Sequence, residues 1–232
     1  QLVPGAFRPV REDGWLEFME DVGIERAVLY STGGLAFGKI ITREFAVDVA
    51  RAWNNWFADT YLKKSPRFQG LALVPLQEPE EAIKEMRRAV NELKFCGVML
   101  PSTGFKGHLG DKEYWPFYAE ANKLGCCIGV HGGAHEGLGM DWLTPYAPIN
   151  GLGHAFSQMV AFAGIIFNGI FDKYPNLRIG FSFGNSYASY GSFGFPGMKD
   201  LILATDFNGN QGNFLALDQD YQFVRTLQEQ NR

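Results

Sequence analysis

Short apolar runs of strand length alternate with amphipathic runs of helix length, and this alternation constrains the fold more than any other feature of the chain. Strand-like runs over residues 24–30, 70–76, 96–100, 126–131, 177–181 and 201–205 are separated by segments long enough to cross back over a sheet. Crossovers of that kind are right-handed and leave consecutive strands parallel. Their even spacing favours a (β/α)8 TIM barrel over an open Rossmann sheet, and no Gly-x-Gly-x-x-Gly follows any strand. With 232 residues, close to the roughly 250 typical of such barrels, the chain is expected to be one α/β barrel domain over residues 1–232.

The intervening helices carry recognisable punctuation. The spacing predicts a helix over 43–62, with Thr42 as its cap and Phe45, Val49, Ala52, Trp53 and Trp56 as its apolar stripe. A second starts at Pro79, buries Ala82, Met86, Ala89, Val90 and Leu93, and pairs Glu80 with Lys84 on its exposed side. A third covers about 115–124 and is closed by Gly125. A long fourth helix is predicted over 153–174, followed by a Pro175-Asn176 turn.

Six strands are two short of a closed barrel. The stretch 184–200, rich in glycine, serine and aromatics, is too short to hold a helix, a strand and another helix. An incomplete barrel would leave unpaired strand edges, so the barrel is expected to be incomplete only in this sequence, from which a first strand and a segment near 184–197 are missing.

Composition narrows the function. A net charge of −4, with 21 scattered Lys and Arg, offers no basic field for a phosphate backbone, so nucleic acid is not an expected partner. No apolar run approaches the ~18 residues of a spanning helix, which predicts no membrane association and a cytoplasmic location. Cys96, Cys126 and Cys127 are odd in number and fall in strand-like runs, where they read as small core residues rather than a disulfide framework or a thiolate zinc site.

The residues that carry chemistry sit at strand ends. The apolar run ending on His131 opens at once into Gly132-Gly133, and the run over 201–205 ends in the same way on Asp206. Ligands of parallel sheets gather at those carboxyl ends, so an imidazole and a carboxylate are placed to converge there. The competing readings are a His131 satisfied by backbone and an Asp206 that starts a turn. His135 and Glu136, in the loop after His131, are candidates for substrate contacts on the rim. His154 begins the long helix and either faces the site or caps and packs. His108 reads as a solvated loop histidine.

Several motifs occur together in order: Arg67-Phe68-Gln69-Gly70-Leu71, Gly97-Val98-Met99-Leu100, Val130-His131-Gly132-Gly133, Gly153-His154-Ala155-Phe156, Gly169-Ile170-Phe171-Asp172 and Ala204-Thr205-Asp206-Phe207. From about residue 14 to 208 the chain resembles the amidohydrolase-related family that includes the aminocarboxymuconate-semialdehyde decarboxylases. The resemblance implies a barrel with one divalent metal, zinc or manganese, at the strand ends, a small-molecule substrate and a homodimer. It makes His131 a metal ligand matching the family's fifth-strand histidine. It makes Asp206 the match of the eighth-strand aspartate, which binds metal or handles a proton. The family's His-x-His has no counterpart in this sequence, and the run over 177–184 ends without a histidine.

The expected activity is hydrolysis or decarboxylation of a small, fairly apolar carboxylated or carbonyl substrate through a metal-activated water, with His131 and Asp206 as catalytic residues. Three other readings stand beside it. One is a metal-free barrel that has lost catalysis and serves as a binding or structural subunit. The second is a glycosidase pair of Glu136 and Asp206, and the third a cysteine hydrolase using Cys126 or Cys127.

Overall fold

The structure, a computed structural model, describes residues 11–144 and 146–182. Within them lie helix α1 (Glu12–Asp21), strand β1 (Ala27–Leu29), α2 (Arg43–Phe57), β2 (Phe68–Leu73), α3 (Pro79–Asn91) and β3 (Gly97–Pro101). These are followed by α4 (Trp115–Leu124), β4 (Cys127–His131), α5 (Tyr146–Phe167), the short α6 (Ile170–Lys173) and β5 (Arg178–Phe181). The strands pair in the order β1-β2-β3-β4-β5, every neighbour parallel. The described residues thus form five consecutive strands of a parallel α/β barrel, each joined to the next by a helical crossover.

Alternation along the strands sorts their side chains into two cores. Ala72, Val98, Leu100, Ile128, Val130, Ile179 and Phe181 join a large cluster with Ala82, Met86, Phe117, Tyr118, Ala121, Ala161 and Ile165 from the helices. Their neighbours Leu71, Leu73 and Met99 form a smaller cluster with Phe37, Ala46 and Ala50, against which Val28, Tyr30, Cys96 and Cys127 pack. Helix α4 has the predicted bounds, and Gly125 ends it at φ 65°, a left-handed conformation that glycine adopts without a Cβ penalty.

Several sequence expectations need correction. The helix predicted over 43–62 stops at Phe57, and Ala58–Leu62 continue as a wider π turn. Its buried face is Ala46, Ala50, Asn54 and Phe57, whereas Phe45 and Trp56 are 58% and 48% exposed. The reason is a polar anchor: Asn54 accepts from the Leu73 amide at 2.9 Å and donates to the Leu73 carbonyl at 2.8 Å, which turns Phe45, Ala52 and Trp56 outward while Val49 and Trp53 still pack against the core. Thr42 precedes α2 but its hydroxyl makes no capping bond.

On α3, Lys84 pairs with Glu81 at 2.6 Å rather than with Glu80. The long fourth helix begins earlier than predicted, at Tyr146, and breaks at Gly169, whose φ of 67° separates α5 from α6. Helix α1 was not anticipated. The strand predicted over 201–205, Asp206 with it, lies outside the described residues.

Candidate active site

Strand β4 carries His131 to its carboxyl end. The ladder sets Pro101 of β3 level with it, and the pairing continues one step further as the Ser102 amide donates to the His131 carbonyl at 2.7 Å. On the other side the Ser182 amide donates to the Val130 carbonyl at 2.8 Å. The His131 ring is half-buried between Tyr30, centroid to centroid 5.7 Å, and His154, 5.2 Å away and nearly perpendicular at 84°.

His154 reaches this place from α5. It is 8% exposed, and its Nε2 lies 2.7 Å from the Ser182 carbonyl oxygen. A carbonyl only accepts, so Nε2 carries the proton and Nδ1 keeps its lone pair. That Nδ1 lies 2.1 Å from where a Cβ on Gly132 would stand, so the residue after His131 has to be glycine for the two rings to meet. The His135 ring occupies the equivalent space beside Gly153, 2.4 Å from the position of a Cβ there. Two glycines without side chains thus let three histidines crowd one corner of the sheet.

Burial governs their charge. His131 is pushed down to about 4, first by desolvation and then by the neighbouring His154, against a weak upward pull from the Gly132 carbonyl. Burial also lowers His154, although its bond to Ser182 opposes this, and burial lowers His135. All three rings are neutral near pH 7. The His131 Nδ1 is 3.4 Å from the Gly132 carbonyl oxygen, a contact that is a hydrogen bond only with the proton on Nδ1, leaving the Nε2 lone pair as donor to a ligand.

The sequence candidates therefore divide. His131, His154 and His135 come together. Glu136 is exposed on the rim and holds Lys39, from the loop after β1, at 2.6 Å. Asp206 falls outside the described residues. His108 is apart from the cluster, accepting from the Gly110 amide at 3.1 Å and facing Asp111 at 3.1 Å. The cysteine-hydrolase reading loses its geometry, because Cys126 is buried in the large core and Cys127 begins β4 while His131 ends it.

Sequence reasoning missed Tyr30, which directly follows β1. Its ring faces His131, its hydroxyl is hydrogen-bonded to the Ser182 side chain, and burial raises its pKa. The signal was present: like His131, it closes a strand-like run just before a glycine turn, Gly33-Gly34.

Among the described residues no group of three His, Cys, Asp or Glu side chains is placed to hold a metal ion. Nor is any helix among them long and apolar enough to cross a membrane.

A half-buried neutral histidine at the carboxyl end of a parallel strand, in a chain whose residues 4–182 match the Amidohydrolase family model, decides the family. The chain belongs to the amidohydrolases. Among curated relatives it is 31% identical over 176 residues to a 2-amino-3-carboxymuconate-6-semialdehyde decarboxylase of Dictyostelium discoideum, covering 76% of this chain and 46% of that protein. It is 32% identical over 187 residues to a gamma-resorcylate decarboxylase of Rhodococcus jostii, covering 72% of this chain and 54% of that one. The amidohydrolase chain thus spans about half the length of the curated relatives it matches. Among solved structures, a dihydroxybenzoic acid decarboxylase from Polaromonas sp. JS666, with bound manganese and 2-nitroresorcinol, superposes with a TM-score of 0.60 at 23% identity. That match covers 88% of this amidohydrolase and 66% of the Polaromonas chain.

Proposed function

We propose that this amidohydrolase acts in the metal-dependent decarboxylation of a small aromatic or unsaturated carboxylic acid, with His131 as a metal ligand. The observation that carries the proposal is the His131 imidazole itself: desolvated, neutral, and free at Nε2 on the carboxyl-end rim of the sheet, in a chain whose relatives are named as decarboxylases.

The donor chemistry fits a divalent ion such as manganese or zinc, because a ligating imidazole has to be neutral and a proton on Nδ1 directs Nε2 outward. One imidazole is not a site, however, since catalytic ions commonly take about three protein ligands. Asp206, which the family resemblance matches to the eighth-strand aspartate, is assigned as a second ligand or as the group that handles the proton. When bound, the ion supplies Lewis-acid polarisation of substrate oxygens or of a water.

The rest is work for the chain's own side chains. Tyr30 and His154 wall His131 on two sides and keep bulk water from its ring. The Ser182 carbonyl fixes the tautomer of His154, and Gln158 steadies that carbonyl by donating to it at 3.3 Å and to the Val130 carbonyl at 3.1 Å. His135 and the Lys39–Glu136 pair stand on the loops where a substrate carboxylate enters.

The test is metal analysis of the full chain after supplementation with manganese or zinc, followed by assay of carbon dioxide release from 2,6-dihydroxybenzoate. A stoichiometric ion that His131→Ala abolishes, together with carbon dioxide release, is the expected result. Protein that takes up no ion under those conditions refutes the metal reading and leaves the metal-free binding subunit. Sedimentation of the same sample tests the homodimer.

A further inference from the structure

At the opposite end of β4 from His131, two thiols meet across the strand ladder. The Cys127 amide donates to the Cys96 carbonyl at 3.3 Å, and Cys127 Sγ lies 3.4 Å from the same oxygen. Cys96 Sγ lies 3.3 Å from the Gly70 carbonyl oxygen, and both cysteines pack against the same small core of Leu71, Leu73 and Met99. Both residues are half-buried rather than sealed in the core. Between them the backbones run unusually close: a Cβ on Gly97 would fall 2.0 Å from the Cys127 carbonyl oxygen and 2.6 Å from its sulfur.

The third cysteine is differently placed. Cys126 precedes Cys127 in sequence but lies on the other face of the strand, in the large core, with Sγ 4.0 Å from the Ala121 carbonyl oxygen. On the far side of Cys127 the β5 ladder pairs it with Arg178, an exposed cation.

The geometry points to Cys96 and Cys127 as a peroxide-responsive modification site that closes to an intramolecular disulfide, stapling the entry of β3 to the start of β4. Residues joined by one backbone hydrogen bond across neighbouring strands have α-carbons within the ~4.4–6.8 Å a disulfide spans. The roles of the two sulfurs differ. Cys127 is level with Arg178 in the β5 ladder, and the cation beside it favours its thiolate, whereas the Cys96 thiol is held against the Gly70 carbonyl.

Cys127 thiolate therefore attacks the peroxide. A sulfur–oxygen bond forms as the oxygen–oxygen bond breaks, and the departing hydroxide is protonated to water. The resulting sulfenic acid is attacked by Cys96 sulfur: the disulfide forms, the sulfur–oxygen bond breaks, and the leaving hydroxide takes the Cys96 proton as a second water. Two electrons pass from the thiol pair to the peroxide.

The experiment treats the full chain with hydrogen peroxide, alkylates the remaining thiols under denaturing conditions and maps peptides by mass spectrometry. The expected result is a peptide linking Cys96 to Cys127, Cys126 alkylated, and full reversal by dithiothreitol. Cys96→Ser is expected to stop at a sulfenic acid on Cys127 that dimedone captures, and Cys126→Ser to keep the cross-link. The inference is overturned if all three cysteines remain alkylated under peroxide that fully oxidises free glutathione in the same tube. A link that runs through Cys126 or between two chains overturns it as well. The wild-type peptide map decides the matter even if a variant fails to fold.

Discussion

Two buried polar clusters flank the same sheet, and they use their bonding capacity differently. In the first, Asn54 of α2 satisfies both backbone groups of Leu73 and donates to Glu85 at 2.7 Å. Glu85 takes both its carboxylate oxygens to Arg88, at 2.7 and 2.8 Å, and Arg88 reaches on to Asn55 at 2.7 Å. In the second, at the end of β4, polar atoms are left over: Nε2 of His131, Nδ1 of His154, and the buried Ser102 Oγ and Gln158 Oε1, which have no partner among the described residues. A polar group taken out of water and fully paired serves the fold, whereas one left with an open lone pair is a cost that a ligand can offset. The first cluster holds α2 and α3 to the sheet. The second is where the proposed function places its chemistry.

The sharpest way to break this contrast is to damage each cluster and read stability and activity separately. Asn54→Ala strands the Leu73 amide and carbonyl and removes a partner of Glu85. It is expected to cost about 3 kcal/mol in urea unfolding, since buried groups left unsatisfied each carry ~1–3 kcal/mol. Activity per folded molecule should hardly change. His131→Ala reverses the pattern: on the proposed function, carbon dioxide release and metal content fall by more than about 100-fold, as for loss of groups that hold a metal, while the urea midpoint moves little. If both variants lose stability alike, the division into structural and functional clusters is wrong.

Acid sharpens the comparison next, because only the second cluster contains histidine. An unfolded histidine titrates near 6.5, while His131 is held at about 4 in the fold and His154 and His135 are also lowered. Between those values the unfolded chain binds more protons, so stability is complete above roughly pH 6.5 and falls as pH drops toward 4. Each ring contributes at most ~1.4 kcal/mol per pH unit in that window. Urea unfolding at pH 7.0 and 5.0 measures the loss, and His131→Asn should flatten it. An unchanged slope in that variant would show that the ring is not desolvated.

Strand order, the bounds of α4 and the placement of His131 were legible because they depend on local period and punctuation: apolar runs, a capping Gly125, a glycine turn after a strand. What escaped depends on partners distant in sequence. The face of α2 was misjudged because its anchor is Asn54, and an apolar stripe gives no weight to an amide that bonds a strand 19 residues on. The start of α5 was hidden by Pro148, which reads as loop although proline is tolerated in a first helical turn. Glu136 pairs with Lys39 across 97 residues, and the Cys127 amide reaches the Cys96 carbonyl only because β3 and β4 pair. Tyr30 obeyed the same strand-end rule as His131 but lacked a residue type that suggested chemistry.

The smallest expected effect lies at a third polar pair, intermediate between the two clusters. Arg87 on α3 grips Glu120 on α4 through two bonds of 2.7 and 2.8 Å, with the carboxylate buried and the guanidinium half exposed. The bidentate bond from Arg87 holds the Glu120 carboxyl below its usual range, ahead of the burial that opposes it. Arg87→Ala should therefore lower the urea midpoint at pH 7 by less than Asn54→Ala does, because solvent and salt screen the exposed partner. A depressed carboxyl contributes stability above its unfolded value of ~4.3 and loses it as pH falls through the folded value. The wild-type and Arg87→Ala curves should thus converge in acid below the window where the histidines act, and draw together in 1 M salt. Curves that stay apart under both conditions would show that the arginine stem packs α3 on α4 and that its charge is incidental.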